Sequence, residues 1–248
     1  MNTIYILWLR QLKRYFRARS RIIGSLGQPL LFLLALGFGF GPVFQKAGQG
    51  NYLQFIVPGI IAMSILFTAI FSGIEIIWDK QFGFLKETLV APVSRMEIMM
   101  GRTLGGATVA VFQGLVVLFL SYFLGFRMPN VFLFPVAVIF MFLIALLFAG
   151  FGTALGSVLD DMQGFQLIMN VLVMPIFFLS GSIFPLAGLP DFLTVITRVN
   201  PLTYGIDGLR STLVSVVHLG LTLDLAILSI LTVVVLTLGS YLFSKIQI

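Results

Sequence analysis

The sequence predicts an all-α polytopic membrane protein with six transmembrane helices, on two compositional grounds and one of length. Hydrophobic residues make up 59% of the 248 and charged residues only 10%, where a soluble domain carries about a quarter charged. The mean hydropathy is +1.09, so too few charges remain to solvate a globular surface and most of it must face lipid. Six apolar stretches approach the roughly 20 residues needed to cross about 30 Å of hydrocarbon. They fall at about 22–41, 52–78, 104–126, 131–158, 165–184 and 223–243. They read as one transmembrane domain over 1–248, without internal repeats or low-complexity segments. Only two connections are long, about 79–103 and 185–222, and in so economical a chain these carry the functional interest.

Several chemistries are excluded by what the sequence lacks. There is no cysteine, hence no disulfide, Cys-ligated zinc or thiol nucleophile. The one histidine, His218, is too little for imidazole catalysis or a multi-histidine metal site. The net charge of +6 is distributed as a membrane protein distributes it, and no nucleic-acid partner is implied. Arg10, Lys13, Arg14, Arg17, Arg19, Arg21, Lys80, Lys86, Arg95, Arg102 and Lys245 fall on one side of the six-span arrangement. Lys46, Arg127, Arg198 and Arg210 fall on the other. By the positive-inside rule the first side is cytoplasmic, both termini included, and an even number of spans satisfies that.

The first element, 1–21, is an amphipathic interfacial helix. At 100° per residue Ile4, Leu7, Trp8, Leu12, Tyr15 and Phe16 share one face, and Arg10, Lys13, Arg14, Arg17 and Arg21 the other. Such a helix lies with its apolar face in the acyl boundary and its basic face on anionic headgroups. The basic part is too long and too patterned for a secretory signal, and no small-residue cleavage site follows. A simple basic anchor is the plainer alternative.

In the connection 79–103, Phe82, Leu85 and Leu89 recur at helical spacing and give a short helix with one apolar stripe. Pro92 ends it. Ser94 and Glu97 form an S-x-x-E capping box that starts the helix leading through Arg102 into the third span. The result is a short helix, a break, and a lever joined to a membrane span. The stripe calls either for a protein partner or for the bilayer surface.

The second long connection is apolar although it lies on the outer side, and Pro185, Pro190 and Pro201 punctuate it. Asp191 is placed to cap a short helix whose face is Phe192, Val195, Ile196 and Val199. Asn200-Pro201 breaks the chain before a second short helix at about 202–213. Helices this apolar dip back into the membrane, where irregular backbone must be covered by protein. They serve either as the lid of a pore or as a structural plug.

Inside the spans, Glu75 is the one clear ionisable residue, placed to meet either the basic first helix or Arg102, or simply to reach the headgroups. Gln113 and Asn170 suit interhelical hydrogen bonds. Gln28-Pro29 and Pro175 mark kinks, and Gly150, Gly152 and Gly156 allow close helix packing. Asp160-Asp161 reads as a solvated turn rather than a metal site.

The two long segments resemble those of type-2 ABC transporter permeases, the group that includes daunorubicin-resistance and nodulation-factor exporters. The resemblance runs the whole length. It rests most on Pro92-Val-Ser-Arg95, on Phe178-Leu-Ser-Gly181 with Pro185 and Leu189-Pro190, and on Asn200-Pro-Leu-Thr-Tyr204 with Asp207 through Arg210. Where the family has Gly-Thr-Leu-Glu, this chain has Gly83-Phe84-Leu85-Lys86, with Glu87 one place later. The resemblance implies a pair of permeases, as a homodimer, driven by two P-loop ATPase subunits that bind ATP and Mg. The coupling segment would be Phe82, Leu85, Glu87, Leu89, Pro92, Ser94 and Arg95. The re-entrant outer gate would hold Ser180, Gly181, Pro185, Pro190, Asn200, Pro201, Tyr204 and Arg210. No G-x-x-x-x-G-K-[ST] occurs in the chain, so any ATP is bound elsewhere. The implied function is export of an amphipathic or lipid-like cargo from the cytoplasmic (inner) membrane by alternating access, with no bond-making chemistry in this subunit.

Two other classes make distinct demands. An ion-coupled secondary transporter or channel needs paired broken helices and buried ionisable sites. An intramembrane enzyme needs a nucleophile–base pair or a metal cluster. Neither pattern is present in the sequence.

Overall fold

A computed structural model describes residues 3–48, 50–84, 93–186 and 190–245; of Arg21 only the backbone is described. Among them there is helix and no strand. In chain order the helices are α1 (Thr3–Arg17), α2 (Arg19–Lys46), α3 (Tyr52–Phe71), α4 (Ile74–Gln81), α5 (Arg95–Phe123), α6 (Phe134–Val158), α7 (Met162–Phe178), α8 (Asp191–Val199), α9 (Pro201–Leu213) and α10 (Leu221–Ser244).

Five segments are long and apolar enough to cross a membrane: Ile22–Lys46, Tyr52–Gln81, Arg95–Phe123, Val131–Val158 and Leu221–Ser244. The sixth expected span, 165–184, takes a different form. Its helix is Met162–Phe178, about 25 Å long at 1.5 Å per residue. It stops early because the Ser180 and Ser182 hydroxyls both donate to the Phe177 carbonyl. Gly181 then turns left-handed at φ 75°, which suits a residue without Cβ. Within α7, Met169–Val173 is a π-helical turn. It lies directly before Pro175, which has no N–H to give to the turn before it. α2, by contrast, runs unbroken through Pro29 and Pro42.

α3 is the core of the bundle, buried for most of its length. α2, α5, α6 and α9 pack around it, and α10 packs on α6 and α9. α2 and α10 leave wide apolar faces exposed, including Leu31, Phe38 and Val43 on one and Ile230, Val233 and Leu238 on the other. Such faces match a lipid solvent.

The helices approach closely where glycines remove the side chain. A Cβ on Gly152 would fall on the Ile70 backbone, one on Gly156 or Gly73 on the other helix's backbone, and one on Gly59 on Ser182. Small residues at crossings are the usual means of helix association where lipid removes the hydrophobic drive. The Gly150–Gly156 spacing thus allows close packing on two sides: Gly152 and Gly156 meet Ile70 and Gly73 at the break between α3 and α4, and Gly150 faces Val235 and Leu236 of α10. Gly73→Leu will force these backbones apart, costing about 1–3 kcal/mol and lowering the thermal midpoint in detergent. Gly39→Leu, where nothing lies within 4 Å, will leave the midpoint unchanged.

Candidate functional site

Charge and hydrogen bonding gather at two ends of the bundle. The first, the basic end, joins α1, α4, the start of α5 and the last turn of α10. α1 does not rest wholly in lipid as its amphipathic pattern suggests. Leu7 and Tyr15 are buried, and α1 lies on α5, where Cβ atoms at Gly101 and Gly105 would strike Leu7 and Gln11. Trp8 Nε1 donates to Thr108 Oγ1 at 3.0 Å and the Tyr15 hydroxyl to Gln113 Oε1 at 3.2 Å. Gln113 Nε2 in turn donates to the Ser25 carbonyl at 2.8 Å. Gln113 therefore ties three helices together, as a neutral polar residue in a span is expected to do. Asn170 differs: it sits in the π turn of α7 and is exposed.

Glu75 meets the first helix rather than Arg102: Arg14 lies 3.5 Å from its carboxylate, and the same guanidinium stands 5.8 Å from the Trp78 ring. Arg102 instead binds Asp79 at 2.5 Å, with both side chains buried, 5% and 7% exposed. This pair closes the connection 79–103 at its base by joining α4 to α5. Lys80 donates to the carbonyls of Ser157 and Leu159, at 2.7 and 3.0 Å, and to Asp160 at 3.1 Å. A lysine is well placed against the carbonyl end of α6. Asp161 caps α7 by accepting from the Gly164 N–H at 2.6 Å. These two acids make turn contacts, and among the described residues no cluster of three metal-ligating side chains exists.

The capping box is present as the sequence predicts: Ser94 Oγ accepts from the Glu97 N–H and the Glu97 carboxylate from the Ser94 N–H, both at 3.2 Å. Arg95 donates to the Ser244 carbonyl of α10 at 2.6 Å. One expectation for the apolar stripe is corrected. Phe82 precedes Gly83, whose φ of 80° breaks the helix, so Phe82 does not continue it; it is 71% exposed. Leu85, Glu87, Leu89 and Pro92 lie outside the described residues.

Beside this end is a cavity of about 410 Å³ between α1, α2, α3, α4, α5 and α7. Met63, Phe67 and Phe71 give it an apolar wall, and Gln28, Glu75, Gln113 and Gln166 a polar one.

The opposite end is built from 179–186, α8, α9 and the start of α10. Asn200 organises it. Its side-chain oxygen accepts from the Leu202 N–H at 3.0 Å and its amide donates to the Ile176 carbonyl of α7 at 2.6 Å. Pro201 follows at the first helical position, where a missing N–H is harmless. Tyr204 donates to the Arg198 carbonyl at 2.6 Å, fixing α8 to α9, and Tyr52 to the Ile183 carbonyl at 2.8 Å. Arg210 is buried over the Phe55 ring, 4.1 Å from its centre, and donates to the Gly181 carbonyl at 3.0 Å. Ser180, Pro185, Asp207 and Arg210 share a second cavity of about 290 Å³. Asp191 is the first residue of α8 rather than its cap, a position that the extended backbone of Pro190 takes.

Sequence reasoning singled out Glu75 as the only ionisable residue in a span, in addition to which the structure buries three others among the described residues. Arg102 and Asp79 bracket the long connection, and that they bracket it was the available signal. Asp224 lies in the first turn of α10 with no exposed surface.

These features define a multi-pass helical membrane protein whose polar contacts serve its ends and crossings, the class of a transport subunit. The chain belongs to the ABC-2 type transporter family, whose model matches residues 2–214. It is 30% identical over 217 residues to the putative transport permease ycf38 of Cyanophora paradoxa, covering 85% of this chain and 73% of that protein. Nodulation protein J of Rhizobium leguminosarum bv. trifolii is 27% identical over 208 residues, 83% and 76% of the two chains. The inner membrane transport permease YadH of Escherichia coli (strain K12) is 26% identical over 207 residues, 82% and 80%.

Two substitutions test the two ends. Arg102→Ala will strand a buried Asp79 carboxylate and cost about 3–5 kcal/mol, whereas the pair Arg102→Met/Asp79→Leu will recover most of it; chemical unfolding measures both. Asn200→Ala will lose the cap and the bond to Ile176, lowering stability by about 1–3 kcal/mol. Asn200→Asp, which keeps the cap alone, will fall between Asn200→Ala and the native chain.

Proposed function

We propose that this chain is the membrane-spanning permease of an ATP-driven ABC exporter, working as a homodimer with two copies of a separate P-loop ATPase that binds ATP and Mg. The observation that carries this reading is the Asp79–Arg102 pair. It joins the two ends of connection 79–103, so force applied there moves α4 and α5 together. α5 is the lever: 29 residues, about 43 Å, begin at the capping box and run without a break to the opposite side. The basic end then faces the cytoplasm, with both termini, and α7 completes six crossings with the turn that follows it. Phe82, Leu85, Glu87, Leu89, Pro92, Ser94 and Arg95 form the surface that the ATPase grips. The segment 185–222 is the outer gate, closed by Asn200, Tyr204 and Arg210.

The 410 Å³ cavity beside the basic end supports an amphipathic or lipid-like cargo: a drug, a lipid or a lipid-linked glycan. Its apolar wall suits the tail and its glutamines and Glu75 the head. Cargo enters there from the cytoplasm or inner leaflet, and alternating access carries it out of the inner membrane.

Leu85→Asp with Leu89→Asp will abolish co-purification with the ATPase and transport, while leaving the permease folded by size-exclusion chromatography. Undiminished association and transport would end the coupling reading. With the reconstituted complex, stimulation of ATP hydrolysis by amphipathic drugs will identify a drug cargo, and a flat response a lipid or glycan.

A further inference from the structure

α10 enters the bundle with a buried acid. Asp224 has no exposed surface, and Asp207 of α9, the helix against which α10 packs, is buried as well. Two ionised carboxyls are both acceptors only, so a hydrogen bond between them requires a proton. Neither oxygen of Asp224, nor Oδ1 of Asp207, has a hydrogen-bond partner among the described residues. Oδ2 of Asp207 accepts from the Leu219 N–H at 2.8 Å.

The balance of charge leads to the same result. Arg210, one turn along α9, is buried and gives its hydrogen bonds to the carbonyls of Gly181 and Phe55. One guanidinium with two acids holding one proton is neutral, whereas two carboxylates leave a net negative charge in a low-dielectric site. The remaining groups do not change that balance. Arg198 on α8 and His218 in the connection are exposed to solvent. Tyr204 and Tyr52 donate to backbone carbonyls. α6 carries no ionisable residue, and α5 meets α10 near its far end, where Met99 adjoins Gly239. The first-turn position of Asp224 favours a carboxylate through the helix dipole, but no backbone N–H of that turn donates to it.

We propose that Asp207 and Asp224 form a proton-binding site, and that a single shared proton fastens α10 to α9. A native state that holds a proton which the unfolded chain releases is stabilised at low pH and loses that stabilisation as pH rises.

The purified permease in nanodiscs tests this directly, and without assuming any cargo or orientation. Between about pH 5 and about pH 9, well above the ordinary carboxyl range, the thermal midpoint of the native chain should fall by about 5 °C or more. Asp224→Asn, whose amide donates to Asp207 without a proton, should hold its midpoint across that range. His218→Gln should follow the native profile. Infrared difference spectra should show the C=O stretch of a protonated carboxyl at neutral pH and lose it as pH rises. The other buried acids, Glu75 and Asp79, face Arg14 and Arg102 at the opposite end of the bundle. If Asp224→Asn does not fold, the native infrared titration decides alone. The absence of that band at neutral pH would overturn the proposal, as would a midpoint profile abolished by His218→Gln. Restoration of the alkaline midpoint by sodium, magnesium or calcium would replace the proton with a metal cation and overturn it equally.

Discussion

Backbone-to-backbone contact at the glycines of α3, α4 and α6 is the constraint on which the rest of this bundle depends. In lipid there is little hydrophobic gain in bringing one apolar helix to another, so close approach and dispersion must supply the association. Gly152 lies on Ile70 and Gly156 on the Gly73 carbonyl, so α6 is pressed into the interruption between α3 and α4. That contact holds α4 beside α6, where Lys80 reaches the carbonyl end of α6 and Asp79 reaches Arg102.

At the basic end, the same principle makes a docking surface of α1. Glycines 101 and 105 of α5 admit Leu7 and Gln11 closely enough that the first helix becomes part of the protein wall. Arg14 then reaches Glu75, and Tyr15 reaches Gln113. The amphipathic pattern of α1 therefore has two partners, a helix for its buried stripe and the surroundings for Tyr5, Ile6 and Phe16, which stay half-exposed.

Much of this was legible in the sequence. Long apolar runs identify themselves because a helix is the only way to satisfy their backbone in lipid, and the fourth, 131–158, matches at both ends. The capping box was legible because Ser94 and Glu97 act within one turn. Asn200-Pro201 was legible for the same local reason. Tertiary facts were not. The apolar pattern of α1 is the same whether lipid or α5 covers it. α7 ends early because two serines capture the Phe177 carbonyl, which hydropathy does not register. Gly83 interrupts the stripe through a backbone angle, and Asp79 and Arg102 pair across a gap of 23 residues. The burial of Asp207 and Asp224 at one junction depends on α9 packing against a helix that begins only after it.

The Arg95–Ser244 contact carries a consequence for biogenesis. The first residue of α5 holds the carbonyl of the last residue of α10, so a bond at the start of the lever waits for the last turn of α10 to be made. α6 and α9 likewise present their groove to lipid until α10 is inserted and fills it. The nascent chain thus passes through a stage in which its core helices are laid down while one flank is still open. Insertion of α10 both seals that flank and braces the lever.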